Sequence, residues 1–152
     1  MFDIRPDDLT GAATRSLLTL HLAGMQANSP PGEVSALDLS GLQTPQVTVW
    51  TVWIGGDLAG IGALKMLGAD AAEIKSMRTH PDHMRKGVAA AMLTHLVDEA
   101  RRRGLRRLSL ETGSGSAFEA ALALYRSRGF ANGEVFSDYT TTAFNQFLHM
   151  DL

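Results

Sequence analysis

At 152 residues the chain has the length of one domain with a sizeable hydrophobic core and is too short for two ordinary ones. Its 14 basic and 16 acidic residues leave a formal charge of -2, which excludes a global attraction to nucleic acid or to an anionic membrane, so any anion site must be a local patch. Without a single cysteine, disulfides, a thiolate nucleophile and a cysteine-based metal site are excluded as well.

The opening MFDIRPDDLTG lacks the basic start and apolar run of a signal peptide, and no later segment approaches the roughly 20 apolar residues of a membrane span. The expected location is the cytoplasm, with no membrane partner. His21, His80, His83, His95 and His149 are scattered, and nothing near His80 and His83 supplies a third ligand, so no metal is expected.

Phe2 to Arg5 reads as a short first strand. Pro6-Asp7-Asp8 supplies a proline and two acidic residues suited to a helix start, and Leu17, Leu18, His21, Leu22 and Met25 continue at helical spacing. Gly24 is expected to weaken or end that helix. Asn28 to Gly41 is a break containing Ser29-Pro30-Pro31-Gly32 and a short piece at Val34 to Leu39, a region expected to help select a substrate. VTVWTVWI, Val47 to Ile54, is β-branched and aromatic and predicts a strand with Trp50 and Trp53 on opposite faces. The turn Gly55-Gly56-Asp57 leads back through Leu58 to Met66, and Gly68-Ala69-Asp70 leads into Ala71 to Arg78, completing an antiparallel meander.

The third strand of that meander runs into a polar loop with a glycine and then a long amphipathic helix, the layout of an anion cradle. A helix start leaves backbone N–H groups without intrahelical partners, so Arg85-Lys86-Gly87-Val88-Ala89 offers donors, the helix dipole and two cations to a pyrophosphate. The helix, about Lys86 to Arg103, carries Ala89, Leu93, Leu96, Val97 and Ala100 on one face and stops at three arginines and Gly104. Arg106 to Glu111 is the next strand, parallel to the earlier one because a helical crossover joins them. Ser116 and Glu119 have capping-box spacing at the start of a helix from Ala117 to Arg128, which Gly129 ends; strands at Val135 to Tyr139 and Asn145 to His149 complete the sheet. Arg101-Arg102-Arg103 and Arg106-Arg107 sit at a helix end and a strand start, where cations are stabilising and solvated, and too few aromatics interleave them for nucleic-acid binding.

With these pieces in order, the chain resembles the GNAT superfamily of acyl-CoA-dependent N-acetyltransferases along nearly its whole length. The family's pyrophosphate pattern, Gln/Arg-x-x-Gly-x-Gly/Ala, reads here Met84-Arg85-Lys86-Gly87-Val88-Ala89, with Met84 departing from it and a cation one place later. Leu124-Tyr125-Arg126-Ser127-Arg128-Gly129-Phe130 matches the family's Leu-Tyr-x-x-x-Gly-Phe signature. Leu110-Glu111-Thr112-Gly113 is similar to the corresponding stretch of a poorly characterised, YsnE-like bacterial subgroup.

The resemblance implies an α/β (α+β) fold: a mixed, mostly antiparallel sheet of six or seven strands with a splayed parallel central pair and flanking helices. It implies acetyl-CoA as donor, bound by Met84, Arg85, Lys86, Gly87, Val88, Ala89 and Ala90 at the cradle and by the backbone of Met77, Arg78 and Thr79 along the pantetheine. It also implies Glu73, fourteen residues before Gly87, as general base, directly or through water, and Tyr125 as general acid toward the thiolate. Read as residues alone, Glu73 is equally a strand-edge group or a partner of Lys75, and Tyr125 a core aromatic. Glu111 faces the substrate or pairs with His80 or an arginine, and His21 and Met25 line the acceptor site or the core. Phe118 stands where many relatives have a cofactor-contacting asparagine. The expected acceptor is a small primary amine or amino-acid-like molecule, attacked directly in a ternary complex; a protein N-terminus or lysine, or a regulatory acyl-CoA binder without turnover, are the alternatives. Relatives of this size often pair through their C-terminal strands, so a homodimer is compatible with the resemblance.

Overall fold

A computed structural model describes residues 1–152. The β-branched, aromatic run forms strand β2, Val47–Ile54, over its full expected length. It pairs antiparallel with β1, Asp3–Pro6, on one side and with β3, Asp57–Met66, on the other. Then come β4, Ala71–Thr79, antiparallel to β3, and β5, Arg107–Thr112, parallel to β4. Strands β6, Ala131–Asn132, and β7, Gln146–Asp151, close a seven-stranded sheet in the order β1-β2-β3-β4-β5-β7-β6. Helix α1, Ala12–Ala27, and the single turn α2, Leu39–Leu42, precede β2; α3, Val88–Arg102, links β4 to β5; α4, Glu119–Ser127, follows β5. The expected mixed sheet with one parallel pair is the observed one, and no helix is long and apolar enough to cross a membrane.

The alternation of strand side chains sorts the core into two clusters. Trp50, Val52, Leu64 and Ile74 face Met92, Leu93 and Leu96 of α3 and Leu122 of α4, while Val49, Ile61 and Ala63 face Leu17 and Leu18 of α1. Trp50 and Trp53 divide between the two faces as expected.

Two irregularities shape the middle of the sheet. The parallel ladder joins only Ala71, Ala72 and Glu73 to Arg107, Leu108 and Ser109, and the strands part beyond it. On its other edge β4 is bulged: Arg78 pairs with Ile61 and Lys75 with Ala63, so Ser76 and Met77 together stand opposite Gly62. Ser76 takes a left-handed φ of 58° there. A Cβ on Gly62 would lie 2.7 Å from Met92 Cγ and 3.0 Å from Met77 Sδ, so the absence of a side chain makes room for the bulge.

Several local expectations need correction. Pro6-Asp7-Asp8 does not start α1, which begins at Ala12; the Asp7 carboxylate accepts from Leu9 N at 2.7 Å, Thr14 Oγ1 at 3.0 Å and Thr51 Oγ1 at 3.1 Å, tying turn, helix and strand together. Gly24 does not end the helix, which continues to Ala27. Val34 to Asp38 is irregular, and the Asp38 carboxylate caps α2 by accepting from Gly41 N. The Ser116/Glu119 capping box is absent: Ser116–Phe118 form a 3-10 turn and Phe118 is the residue before α4. Val135 to Tyr139 is not a strand; Phe136 and Tyr139 instead turn their rings onto Phe147 of β7.

Candidate active site

Where β4 and β5 part, a cleft of about 180 Å³ opens. Its walls come from Ile74 to Arg78 of β4, Leu110 to Thr112 of β5, His21, Gly24 and Met25 of α1, and Tyr125 of α4. Ser35 and Ala36 of the irregular segment close one side. The edge of β4 toward β5 has no strand partner from Ile74 to Thr79, so its peptide groups are available for pairing with another extended chain.

Two carboxyl groups share the α1 face of this seam. Glu73 pairs in register with Ser109, and Glu111 is two residues further along β5, so both project to the same side. Glu73 is only 2% exposed, and Tyr139 donates its hydroxyl hydrogen to Glu73 Oε2. Lys75 Nζ lies 3.4 Å from the same oxygen and donates to Tyr139 Oη at 2.8 Å and to the Ser35 carbonyl at 3.0 Å. Burial pushes the Glu111 carboxyl up to about 7; Lys75 pulls it down, and Glu73 and Glu33 push it further up. Burial beside Glu73 likewise holds the Tyr139 phenol far above its usual value.

Tyr125 reaches the cleft from the other face, its ring packed edge-on to Phe130 at 5.9 Å. Burial alone raises its hydroxyl to about 12, so it is a proton donor at neutral pH. His21 is pushed down to about 4 by burial, Arg78 and Lys75, and is therefore neutral. Arg78 Nε donates to His21 Nδ1 at 2.9 Å, which fixes the ring proton on Nε2.

At the far end of β4 the chain turns through a 3-10 segment, Pro81–His83, into the expected cradle. Met84 is extended and exposed, Arg85 has a left-handed φ of 62°, and Gly87 has φ 86° and ψ 15° immediately before α3. Ala91 N is the amide that takes the Gly87 carbonyl, so the N–H groups of Val88, Ala89 and Ala90 point ahead of the helix without intrahelical acceptors. No acidic residue stands in that first turn, and Arg85 and Lys86 flank it. An open strand edge ending at a bare helix N-terminus fits an acyl-CoA: amides along the strand, pyrophosphate on the helix.

The sequence-predicted residues thus fall into two groups along one groove. Glu111, Tyr125, His21, Met25, Met77 and Arg78 line the cleft, and Glu73 lies buried beside it where the parallel ladder ends, whereas Met84 to Ala90 form the cradle, with Thr79 between them paired to Gly60. Sequence reasoning misses Tyr139; it lies 66 residues from Glu73, and no local pattern announces the contact.

Residues 15–130 match the model of the acetyltransferase (GNAT) family. The chain belongs to that family. Over its whole length it is 47% identical to YedL, an uncharacterized N-acetyltransferase of Escherichia coli, covering 96% of that protein. It is 52% identical over 136 residues to YsnE, an uncharacterized N-acetyltransferase of Bacillus subtilis, covering 90% of each chain, which bears out the subgroup expected from Leu110-Glu111-Thr112-Gly113. The fold superposes on a Klebsiella pneumoniae structure assigned as an acyl-CoA N-acyltransferase with a TM-score of 0.84 at 26% identity, covering 100% of this chain and 98% of the other. This GNAT protein is an acyl-CoA-dependent N-acyltransferase.

Proposed function

We propose that this GNAT enzyme transfers the acetyl group of acetyl-CoA to the primary amine of a small metabolite or amino-acid-like molecule, by direct attack with both substrates bound. The observation that carries the proposal is the seam itself, with a carboxyl group titrating near neutrality on one wall and a buried phenol on another. Acetyl-CoA supplies the thioester carbonyl and a thiolate leaving group.

The backbone of Met77, Arg78 and Thr79 aligns the pantetheine along the free edge of β4, and the amides of Val88 to Ala90 with Arg85 and Lys86 hold the pyrophosphate. Glu73 and Glu111 receive the acceptor's ammonium. Both Tyr139 and Lys75 engage Glu73 Oε2, leaving Oε1 to accept from the amine and orient it. Glu111 takes the proton, because a base near 7 is half ionised at neutral pH yet basic enough to help the amine lose it. As the nitrogen–carbon bond forms and the carbon–sulfur bond breaks, the Tyr125 hydroxyl gives its proton to the thiolate; the nitrogen's second proton leaves through solvent, which reprotonates the Tyr125 phenolate, and Glu111 releases its own proton to solvent. The small size of the cleft, about 180 Å³ with Ser35 and Ala36 along one side, favours a metabolite over a folded protein.

An amine library assayed for thiol release from acetyl-CoA tests the reaction, with Glu111→Gln, Glu73→Gln and Tyr125→Phe compared for rate and for acetyl-CoA affinity. The expected result is normal donor affinity with rates reduced by roughly 10²–10⁴-fold for Glu111→Gln. Full activity in all three variants with every acceptor would show that these side chains do not carry the chemistry.

A further inference from the structure

Resting on the acetyltransferase reading above, we propose that the acceptor carries a carboxylate as well as its amine, and that Arg78 with His21 forms the site that holds it. The acceptor class is therefore amino acids.

The bulge in β4 is what brings Arg78 to this site. Arg78 is three positions after Lys75, a spacing that in a regular strand places them on opposite faces. The extra residue at Ser76–Met77 restores the parity: Lys75 stands opposite Ala63 and Arg78 opposite Ile61, two steps apart on β3, so Glu73, Lys75 and Arg78 all project toward α1. Successive positions on that face are about 7 Å apart. The α1 face of the seam thus carries a carboxyl pair at one end, Glu111 of which lines the cleft, and a guanidinium at the other.

Arg78 is half-buried and has no carboxylate within ion-pair distance, although Arg103 and Arg107 are paired with Glu99 and Glu134. Its protein contacts are neutral: Nε donates to His21 Nδ1, and the Nη2 group has only a 3.5 Å contact with the His21 carbonyl. Nη1 has no protein acceptor. A guanidinium cannot shed its charge in a protein, so removing it from water without a counter-ion is costly unless a ligand supplies one. The fork geometry of Arg favours a carboxylate.

Gly24 adds an independent sign that the guanidinium's position is specified. A Cβ there would lie 3.1 Å from Arg78 Nη2, so the glycine lets the fork lie against the α1 backbone. Glycine inside a helix costs roughly 0.5–1 kcal/mol relative to alanine, and α1 tolerates it at this turn. The coenzyme's phosphates are not the natural partner of Arg78, because the cradle has its own cations at Arg85 and Lys86 while Arg78 leans onto α1, across the sheet from α3.

The test measures kcat/KM with acetyl-CoA for each proteinogenic amino acid, its primary amide, and the corresponding amine without the carboxyl group. At least one amino acid is expected to exceed its amide by roughly 10²-fold or more, as a site built for a polar group rejects an analogue lacking it. In Arg78→Met that ratio is expected to fall to within about threefold of unity, with Arg78→Lys intermediate. Isothermal titration with coenzyme A accompanies each variant. Turnover of amides or plain amines without preference for the acids overturns the carboxylate assignment and leaves the transferase reading standing. A ratio that survives Arg78→Met, or a tenfold loss of coenzyme A affinity with the ratio unchanged, also overturns it. No product from any of the three sets overturns both readings.

Discussion

In the proposed reaction Glu111 sets the pH at which the site can work. Its carboxyl, pushed up to about 7 mainly by burial, must be ionised to accept a proton, so kcat/KM is expected to rise with pH through a limb near 7 that disappears in Glu111→Gln. The same environment acts on stability in the opposite sense. Unfolding returns the group to its ordinary value near 4.5, so between 4.5 and 7 the native state binds the proton that the unfolded state has lost, and stability falls as pH rises through that window. Glu111→Gln is therefore expected to be slow but more heat-stable than the parent at pH 8, with little difference at pH 4. Paired melting curves at the two pH values check this, and a variant no more stable at pH 8 than the parent contradicts the burial argument. Tyr139→Phe is a complementary case: it strips a hydroxyl from both Glu73 and Lys75 without changing the ring, and losing such a bond costs on the order of 1–3 kcal/mol. The expected fall in Tm is roughly 2–12 °C.

Among the elements, β3 and the start of α3 depend on one another through Gly60. A Cβ at that position would meet Val88 Cγ1 at 2.6 Å and the Arg78 carbonyl at 3.2 Å, and neither a β-branched side chain in the first turn of a helix nor a strand backbone gives way easily. Gly60→Ala is expected to cost about 1–3 kcal/mol and to weaken coenzyme A binding by displacing the cradle amides; calorimetry and a melting curve would separate the two effects. These dependencies also mark where the sequence was readable. Strand β2 was legible to the residue because VTVWTVWI has no competing helical period, and the cradle was legible because Arg85 to Ala90 are contiguous. Asp7 and Asp8 mislead because carboxylates suit a helix start and a turn equally, and the choice is made by Thr51, 44 residues away from Asp7. Val135 to Tyr139 carries strand-like residues, yet its aromatic rings pack on β7 without forming a ladder. Glu73 and Glu111 could be named from sequence, but their surroundings could not: Tyr139, distant in sequence, joins Lys75 at the Glu73 carboxyl, while burial raises that of Glu111. The bulge that turns Arg78 toward His21 has no local signature in the residues around Ser76.

At the scale of the whole molecule the sheet is two sheets joined at a short seam. Strands β1 to β4 form one block and β5 to β7 another, held by three parallel register pairs and by the side chains of α3 beneath. Beyond Glu73 the seam is open for the rest of β4, and that is where an extended ligand would supply the missing pairing. Coenzyme A should therefore act as a structural link between the blocks as well as a substrate carrier. By mass action a ligand at 100 times its Kd stabilises a native state by about 2.7 kcal/mol, so for a domain of this size Tm is expected to rise by roughly 5–11 °C. The location of the effect is more informative than its size. Hydrogen exchange is expected to slow at those amides between Ile74 and Thr79 that face β5 rather than β3 and at Val88 to Ala90, which receive new acceptors, and to change little in β1 and β2, which are already paired across the meander. If Tm rose by this amount while the new protection lay in β1 and β2 and spared Ile74 to Ala90, the coenzyme would be binding elsewhere, and the seam would be only a gap in the sheet.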